Sequence, residues 1–488
     1  MHPTPIIMMS SNNKQEAQVV LVPASGHSHL LSTLEFAKLL VNHDHRITVN
    51  LMLISSPIDT KTTSTATNSL LSHYSHRIKV INLPDYTPNL SSDKSDRASL
   101  MNALVDFLKP HLREAVSNLT ASPSAPPLAA FIVDMFFTQM IEIAKDFGVP
   151  ALVFYTSGAA FLGMTLHLHT LRVRDNLVAY EWEDSDSELT IPTFANPIPW
   201  RNLPSLFMQK QWDSLFMSYA SGLKEAHGFI VNTFEELESY PIHSFQHASF
   251  PVFPVGPILN LTSTTGDASE DIIKWLDDQP PASVVFLCFG SRGWFHQDQL
   301  REIARALQDS EARFLWSMRK PPPEGSMDMP TDYSLPELTE LLPHGFLDRT
   351  AGVGRVIGWA PQAQVLAHKA TGGFVSHCGW NSTLESIYYG VPIAAWPLFA
   401  EQQSNAFQLV RELKVAVEIS LEFKHGLSFG ITPVLSSEKI EKGIRNVLKD
   451  AEVRKRMKEM SEKCRGTMKE GGCSYSHLGR FIDYLMDN

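Results

Sequence analysis

Short, wholly apolar runs alternate with longer amphipathic ones through the first half of the chain. Val19-Val20-Leu21-Val22-Pro23-Ala24 is β-rich and too short for a helix, so it predicts a buried strand. Leu30 to Val41 follows, where Leu30, Leu34, Phe36, Leu39 and Leu40 recur at helical spacing and form a broad apolar face. Further strands are predicted at Thr48–Ile54, Ile78–Leu83, Ala129–Met135, Ala151–Tyr155 and Gly228–Asn232. Strands alternating with helices imply a parallel sheet covered on both faces. The rhythm breaks at the Pro-rich Pro251–Pro257 and the polar Asn260–Ser269, which read as a domain boundary. It restarts with Val284–Phe289 and continues through Arg313–Trp316, Arg355–Ile357, Phe374–Ser376 and Ile393–Ala395, with helices at Gln299–Gln308 and Glu438–Leu448. Pro321–Leu342 reads as an exposed loop, and Leu478–Met486 as a last amphipathic helix. The expectation is an α/β protein of two domains, residues 1–255 and 256–469, facing each other across a cleft, with the segment 470–488 returning to the first domain.

Length supports two domains, since 488 residues exceed what one core usually holds. The net charge of −11 argues against a nucleic-acid binder. It leaves a nucleotide ligand open, because helix N-termini bind phosphate without net positive charge. The four cysteines, Cys288, Cys378, Cys464 and Cys473, form no CxxC pair and read as reduced thiols of a cytosolic protein. No N-terminal segment has a signal-peptide core, and no stretch reaches the ~18 apolar residues of a membrane span. A cytoplasmic monomer is expected.

Four constellations carry chemistry. Gly26-His27-Ser28-His29 follows the first strand, where open α/β sheets bind ligands, and a histidine there suits a general base. Two histidines at i and i+2 do not share one role. Asp134 interrupts the apolar Phe131–Phe137 run; it either orients a histidine or caps a helix predicted at Thr138–Phe147. Phe289-Gly290-Ser291 ends the first strand of the second half with small residues and a hydroxyl, but matches no P-loop. The richest stretch is Trp359–Gln402. Trp359 can stack a base. Gly372–His377 predicts a buried strand ending in a polar turn. Asn381-Ser382 follows as the cap of a helix whose N-terminus suits an anion, and His377 and Ser382 can bond phosphate there. Glu385 lies one turn past Asn381 and can accept from ribose hydroxyls, while Glu401-Gln402 can bond the vicinal hydroxyls of a sugar.

In Trp359–Gln402 the segments WAPQ, HCGWNS, GVP and the final EQ closely resemble the signature box of plant family 1 UDP-glycosyltransferases. The likeness extends over nearly the whole chain, through PASGHSHLLSTLEFAKLL, IVD, VGPI, FLCFGS, FLWSMR and the C-terminal helix. It looks most like the branch that glycosylates phenolic, flavonoid and terpenoid aglycones. The resemblance implies two Rossmann-like domains facing across a cleft, the GT-B arrangement. It implies that Trp359 stacks uracil, the Ala360 backbone pairs with its edge, and Gln362 and Glu385 hold the ribose. His377, Asn381, Ser382 and Ser291 would hold the diphosphate, with Ser317 near the uridine or phosphate, and Trp380, Glu401 and Gln402 would hold the sugar, which Thr156 approaches. The terminal Gln favours UDP-glucose over UDP-galactose. Gap-free alignment back from Leu34-Glu35-Phe36-Ala37-Lys38 puts the catalytic histidine at His29, with His27 as the alternative; Ser28 departs from the family's usual Gly. Asp134 would stabilise the imidazolium. Phe136, Phe137 and Phe161 would line the acceptor site. The implied reaction is an inverting transfer from UDP-glucose to a small lipophilic acceptor, giving a β-glucoside, with no metal and no further cofactor. A catalytically weak nucleotide-sugar sensor of the same fold is the alternative. An NAD-dependent oxidoreductase is opposed by the missing GxGxxG.

Overall fold

A computed structural model describes residues 16–487 except residue 25 and segments 55–71, 87–96, 183–184, 186, 262–266, 324–327 and 426–432. In the first half lie strands β1 (Ala17–Val22), β2 (Ile47–Leu53), β3 (Ile78–Asn82), β4 (Leu128–Asp134) and β5 (Ala151–Tyr155), the short ribbon β6 (Glu188–Leu189) and β7 (Ile198–Pro199), then β8 (Gly228–Val231) and β9 (Val252–Pro254). Seven of them form one sheet in the order β3-β2-β1-β4-β5-β8-β9, with every pairing parallel. Both faces are covered, as the wholly apolar runs require. Val20 and Val22 of β1 pack with Val105 and Leu108 on one side. Val19 and Leu21 pack with Leu34, Phe36 and Leu40 on the other.

The second half holds β10 (Val284–Cys288), β11 (Arg313–Ser317), the ribbon β12 (Arg319–Lys320) and β13 (Thr331–Asp332), β14 (Gly354–Ile357), β15 (Thr371–Ser376), β16 (Ile393–Ala395) and β17 (Ala416–Glu418). Its six-stranded sheet runs β14-β11-β10-β15-β16-β17, again all parallel. In each sheet the strand order reverses once, between β1 and β4 and between β10 and β15. The connections there leave toward opposite faces, and a crevice opens beyond the strand ends. The loops after β1, β4, β10 and β15 carry the candidate residues into these two crevices.

The helix Cys473–Asp487 lies on the first sheet, with Phe481 beside Phe36 and Phe253 at ring distances of 6.1 and 5.3 Å. Leu478, Phe481, Ile482 and Leu485 are all nearly inaccessible. Each such side chain contributes about 1.5–3 kcal/mol by burial, which is enough to make this last helix part of the first core.

Three expectations need correction. Val252–Pro254, read as part of a Pro-rich break, is the edge strand β9; an edge tolerates proline because one side of the strand donates to nothing. Pro321–Leu342 is more than a loop. It includes β13 and the helix Leu335–Leu341, whose start is fixed by the Ser334 N–H donating to Glu337 at 2.8 Å. The helix predicted at Thr138–Phe147 divides into a 3₁₀ segment, Met135–Met140, and a short helix, Glu142–Asp146. No helix among the described residues is long and apolar enough to cross a membrane.

Candidate active site

His29 lies in the first turn of the helix His27–His43, not in a loop before it. Gly26, in extended conformation, begins the helix directly after β1 and so aims that turn at the crevice. The side chain of His27 lies outside the described residues. Nδ1 of His29 is 2.8 Å from Asp134 Oδ2 and 3.0 Å from Thr156 Oγ1 at the end of β5. The other Asp134 oxygen accepts from the Phe136 N–H at 2.9 Å. Asp134 therefore does both things read from the sequence: it caps a helical turn and it orients a histidine. A carboxylate facing Nδ1 places the ring proton there and leaves the Nε2 lone pair for a ligand. Burial works to lower the His29 pKa, but the charge and hydrogen bond of Asp134, with a further contribution from Glu401, outweigh it and raise the group above its usual value.

The aromatic residues beside this pair separate. Phe136 is 44% exposed and its ring lies 4.8 Å from that of His29. Phe137 and Phe161 are buried in the core, Phe161 stacked on Phe207 at 5.8 Å. Of these three, only Phe136 presents an open aromatic face.

Across the cleft, the helix Trp380–Tyr389 is capped at Gly379, two or three residues earlier than the Asn381-Ser382 cap read from the sequence. A glycine cap has no side chain, so Gly379 itself satisfies none of the first-turn N–H groups. His377 is pinched beside them. A Cβ on Gly290 would come within 2.6 Å of its Nε2, and one on Gly379 within 2.5 Å. Gly290 also has φ +77°, so glycine is required there on both counts. Burial holds the His377 pKa down at about 4, so the ring is neutral. Its Nδ1 is buried with no partner among the described residues.

The remaining donor-side residues group around that helix. Gln362 Nε2 donates to Ser382 Oγ at 2.9 Å and to Glu385 Oε2 at 2.8 Å. Burial raises the Glu385 carboxyl to about 7, with the Gln362 bond pulling the other way. Ser317 donates to the Gly358 carbonyl at 2.7 Å, which spends its proton on joining the ends of β11 and β14. Ser291 sits in the turn after β10, beside Gly290. Trp359 is 53% exposed, flanked by the buried Ala360, and the Arg319 guanidinium lies 5.3 Å from its ring. Gln402 accepts from the Leu398 and Phe399 N–H groups at 2.9 and 3.0 Å, which fixes its carbonyl oxygen and turns its NH₂ elsewhere. Burial also raises the Glu401 carboxyl.

Several bonds cross between the halves. Trp380 Nε1 donates to the Asn232 carbonyl at 2.7 Å, so its indole N–H is already used. Asn381 Nδ2 reaches Ser32 Oγ at 3.2 Å, while its Oδ1 is buried without a partner among the described residues. Sequence reasoning missed Asn232, Arg319 and Gly379, and it placed Gly290 in the turn after β10 without its approach to His377. The signal for the glycines was their placement directly after β10 and before a helix; for the others no local pattern existed. Among the described residues, no group of three or more His, Cys, Asp or Glu side chains is placed to hold a metal ion. The arrangement provides a base with a buried carboxylate behind it, an anion site opposite, and an exposed aromatic platform beyond.

The family model described as "UDP-glucoronosyl and UDP-glucosyl transferase" matches residues 18–462. A UDP-glucose flavonoid 3-O-glucosyltransferase of Fragaria ananassa is 45% identical over 487 residues, covering 97% of this chain and 99% of its own. An anthocyanidin 3-O-glucosyltransferase of Manihot esculenta is 45% identical, covering 93% of this chain and 98% of its own. Among solved structures, a transferase of Siraitia grosvenorii in complex with UDP matches with TM-score 0.85 and 43% identity, covering 96% of this chain and 100% of its own. One of Medicago truncatula complexed with UDP-glucose matches with TM-score 0.83 and 35% identity, covering 96% and 98%. The chain belongs to the UDP-glucoronosyl and UDP-glucosyl transferase family. It is a UDP-glycosyltransferase with the GT-B fold.

Proposed function

We propose that this enzyme transfers glucose from UDP-glucose, with inversion, to a hydroxyl of a flavonoid, anthocyanidin or related phenol. The observation that carries the reading is the His29–Asp134 pair at 2.8 Å facing the uncapped start of the helix Trp380–Tyr389. A base and an anion site on opposite sides of one cleft suit displacement at a carbon between them. Nε2 of His29 takes the acceptor's hydroxyl proton, and the hydroxyl oxygen attacks the anomeric carbon. The bond from that carbon to the UDP oxygen breaks on the opposite face, and the electron pair leaves with UDP. The first-turn N–H groups at Trp380, Asn381 and Ser382, with His377 and Ser291, receive the growing charge of the diphosphate. These fixed dipoles supply what a bound cation would, so no metal is needed. Trp359 stacks the uracil, the Ala360 backbone pairs with its edge, Gln362 and Glu385 hold the ribose, and Ser317 supports the loop beneath them. Glu401 and Gln402 hold the glucose, with Thr156 and Trp380 beside it. Phe136 offers the acceptor ring an aromatic face. The names of the Fragaria and Manihot relatives support the acceptor class. A cytoplasmic compartment accords with the four free cysteines.

Incubation with UDP-glucose and a panel of flavonols, anthocyanidins and simple phenols, with and without a chelator, tests this reading. Equal formation of a phenolic glucoside in both arms is expected. Binding of UDP-glucose without any glucoside across the panel would favour the sensor reading instead.

Two consequences arise at the donor half. Trp359→Ala is expected to weaken UDP-glucose binding by about 1–3 kcal/mol, the usual worth of stacking on one base, without lowering the melting temperature of so exposed a residue. Calorimetric titration and thermal melting read the two effects. Glu385 titrates near 7, and its ionised form accepts from ribose hydroxyls more strongly. UDP-glucose itself does not titrate between pH 6 and 8. Donor affinity is therefore expected to fall as pH drops through 7, and the fall should vanish in Glu385→Gln. A flat wild-type profile would remove Glu385 from the donor site.

A further inference from the structure

One fully buried carboxylate has no part in the reaction scheme. Glu238, 1% exposed, ends the turn that begins at Asn232 after β8. Its Oε2 accepts from the Ala159 N–H at 2.7 Å, and its Oε1 accepts from the Ala160 N–H at 2.9 Å. These are first-turn donors of the helix Ala159–Asp175, whose own cap, Gly158, offers no side chain. Oε1 also accepts from Gln408 Nε2 at 3.1 Å, on the far side of the cleft. Gly158 is squeezed between: a Cβ there would lie 2.8 Å from both Glu238 Oε1 and the Trp380 ring. Two residues earlier, Thr156 touches His29. At the other end of the same turn, Asn232 receives the Trp380 indole N–H. The loop from Thr156 to Gly158 is thus held between the base and the donor helix, with Glu238 as the connection to both halves.

We propose that Glu238 is a positioning residue for glycosyl transfer: by tying Ala159 and Ala160 to Gln408, it sets the placement of His29 relative to the bound sugar. The carboxylate suits this role because it accepts three bonds and donates none. In Glu238→Gln the amide must point its NH₂ at one of two buried backbone N–H groups, so at least one bond is lost whichever way it turns. Gln408→Leu removes only the arm that crosses the cleft and leaves the helix start capped.

The inference rests on the transfer reaction proposed above, and its test compares transfer with hydrolysis of UDP-glucose by water. Misplacing the base slows attack by the acceptor hydroxyl but leaves the leaving-group site intact. Both variants are expected to lose transfer, by about 10- to 100-fold in Glu238→Gln and less in Gln408→Leu. The ratio of hydrolysis to transfer should rise in both, with KM for UDP-glucose within about twofold of wild type. A merely structural role lowers the active fraction, so both rates fall in proportion, the ratio stays constant and only the melting temperature drops. That result, or wild-type rates in both variants, overturns the assignment. Should Glu238→Gln not fold, Gln408→Leu decides alone. A wild type that forms no glucoside contradicts the functional reading itself; an active wild type with an unchanged ratio in the variants contradicts only the role of Glu238.

Discussion

His29→Ala is expected to lower kcat/KM for transfer by about 10²–10⁴-fold, the usual contribution of a general base, while UDP binding survives. The imidazole is the titratable group that Asp134 and Thr156 both address, and its Nε2 is the nitrogen those contacts leave for a ligand. Most donor contacts proposed above belong to the second half, from Ser291 to Gln402, and do not depend on His29. Isothermal titration with UDP, beside steady-state kinetics, separates the two effects. The pH profile gives a second signature. The base must be neutral to accept a proton, and its pKa lies above the ordinary value of about 6.5. Wild-type kcat/KM should therefore fall as pH drops through that raised value, and the limb should be missing in His29→Ala. If His29→Ala keeps near-normal turnover and His27→Ala abolishes it, the assignment of the base is wrong.

Asp134→Asn is expected to be nearly as damaging, by about 10²–10⁴-fold in kcat, for a different reason. The amide is nearly the same shape, and its oxygen can still accept from the Phe136 N–H, so the turn after β4 survives. The group then facing Nδ1 is an NH₂ donor. It favours the tautomer with the proton on Nε2, which cannot act as a base. The negative charge is also gone, and burial, which works to lower the His29 pKa, is no longer opposed by it. The acid limb of the profile should move to lower pH even as the plateau falls. An unmoved limb with near-wild-type turnover would mean that Asp134 acts only as a cap. Near-wild-type thermal stability is expected of Asp134→Asn. Asp134→Ala, which leaves the Phe136 N–H uncapped, should lose about 0.5–2 kcal/mol.

How far the molecule could be read from its residues depends on whether the information was local. The short, largely apolar runs at β1, β4, β10 and β15 announced strands buried on two faces, because they are too brief for a helix and are bounded by turn residues. The Trp359–Gln402 box was legible for the same reason: its turn and helix start are contiguous in sequence. Where glycine does the work, the reading slipped. Gly379 caps its helix by conformation alone, and the polar Asn381 and Ser382 drew attention two or three residues too far. Pro251 and Pro254 hid the edge strand Val252–Pro254, although proline forbids only one side of a ladder. Phe136 and Phe137 are adjacent and chemically alike. A non-helical residue at Phe137 inside the 3₁₀ turn sends one ring to the cleft and the other to the core, and no periodicity carries that. Glu238 was out of reach altogether, since its partners lie 78, 79 and 170 residues away.

The most direct test of inverting transfer from UDP-glucose is the configuration of the product. Proton NMR of the glucoside formed from UDP-glucose and an accepted flavonoid reads the anomeric coupling. The large coupling of a β-glucoside is the predicted result, since attack from the face opposite UDP inverts the α-linked donor. The small coupling of an α-glucoside, or release of free glucose alone, would contradict it.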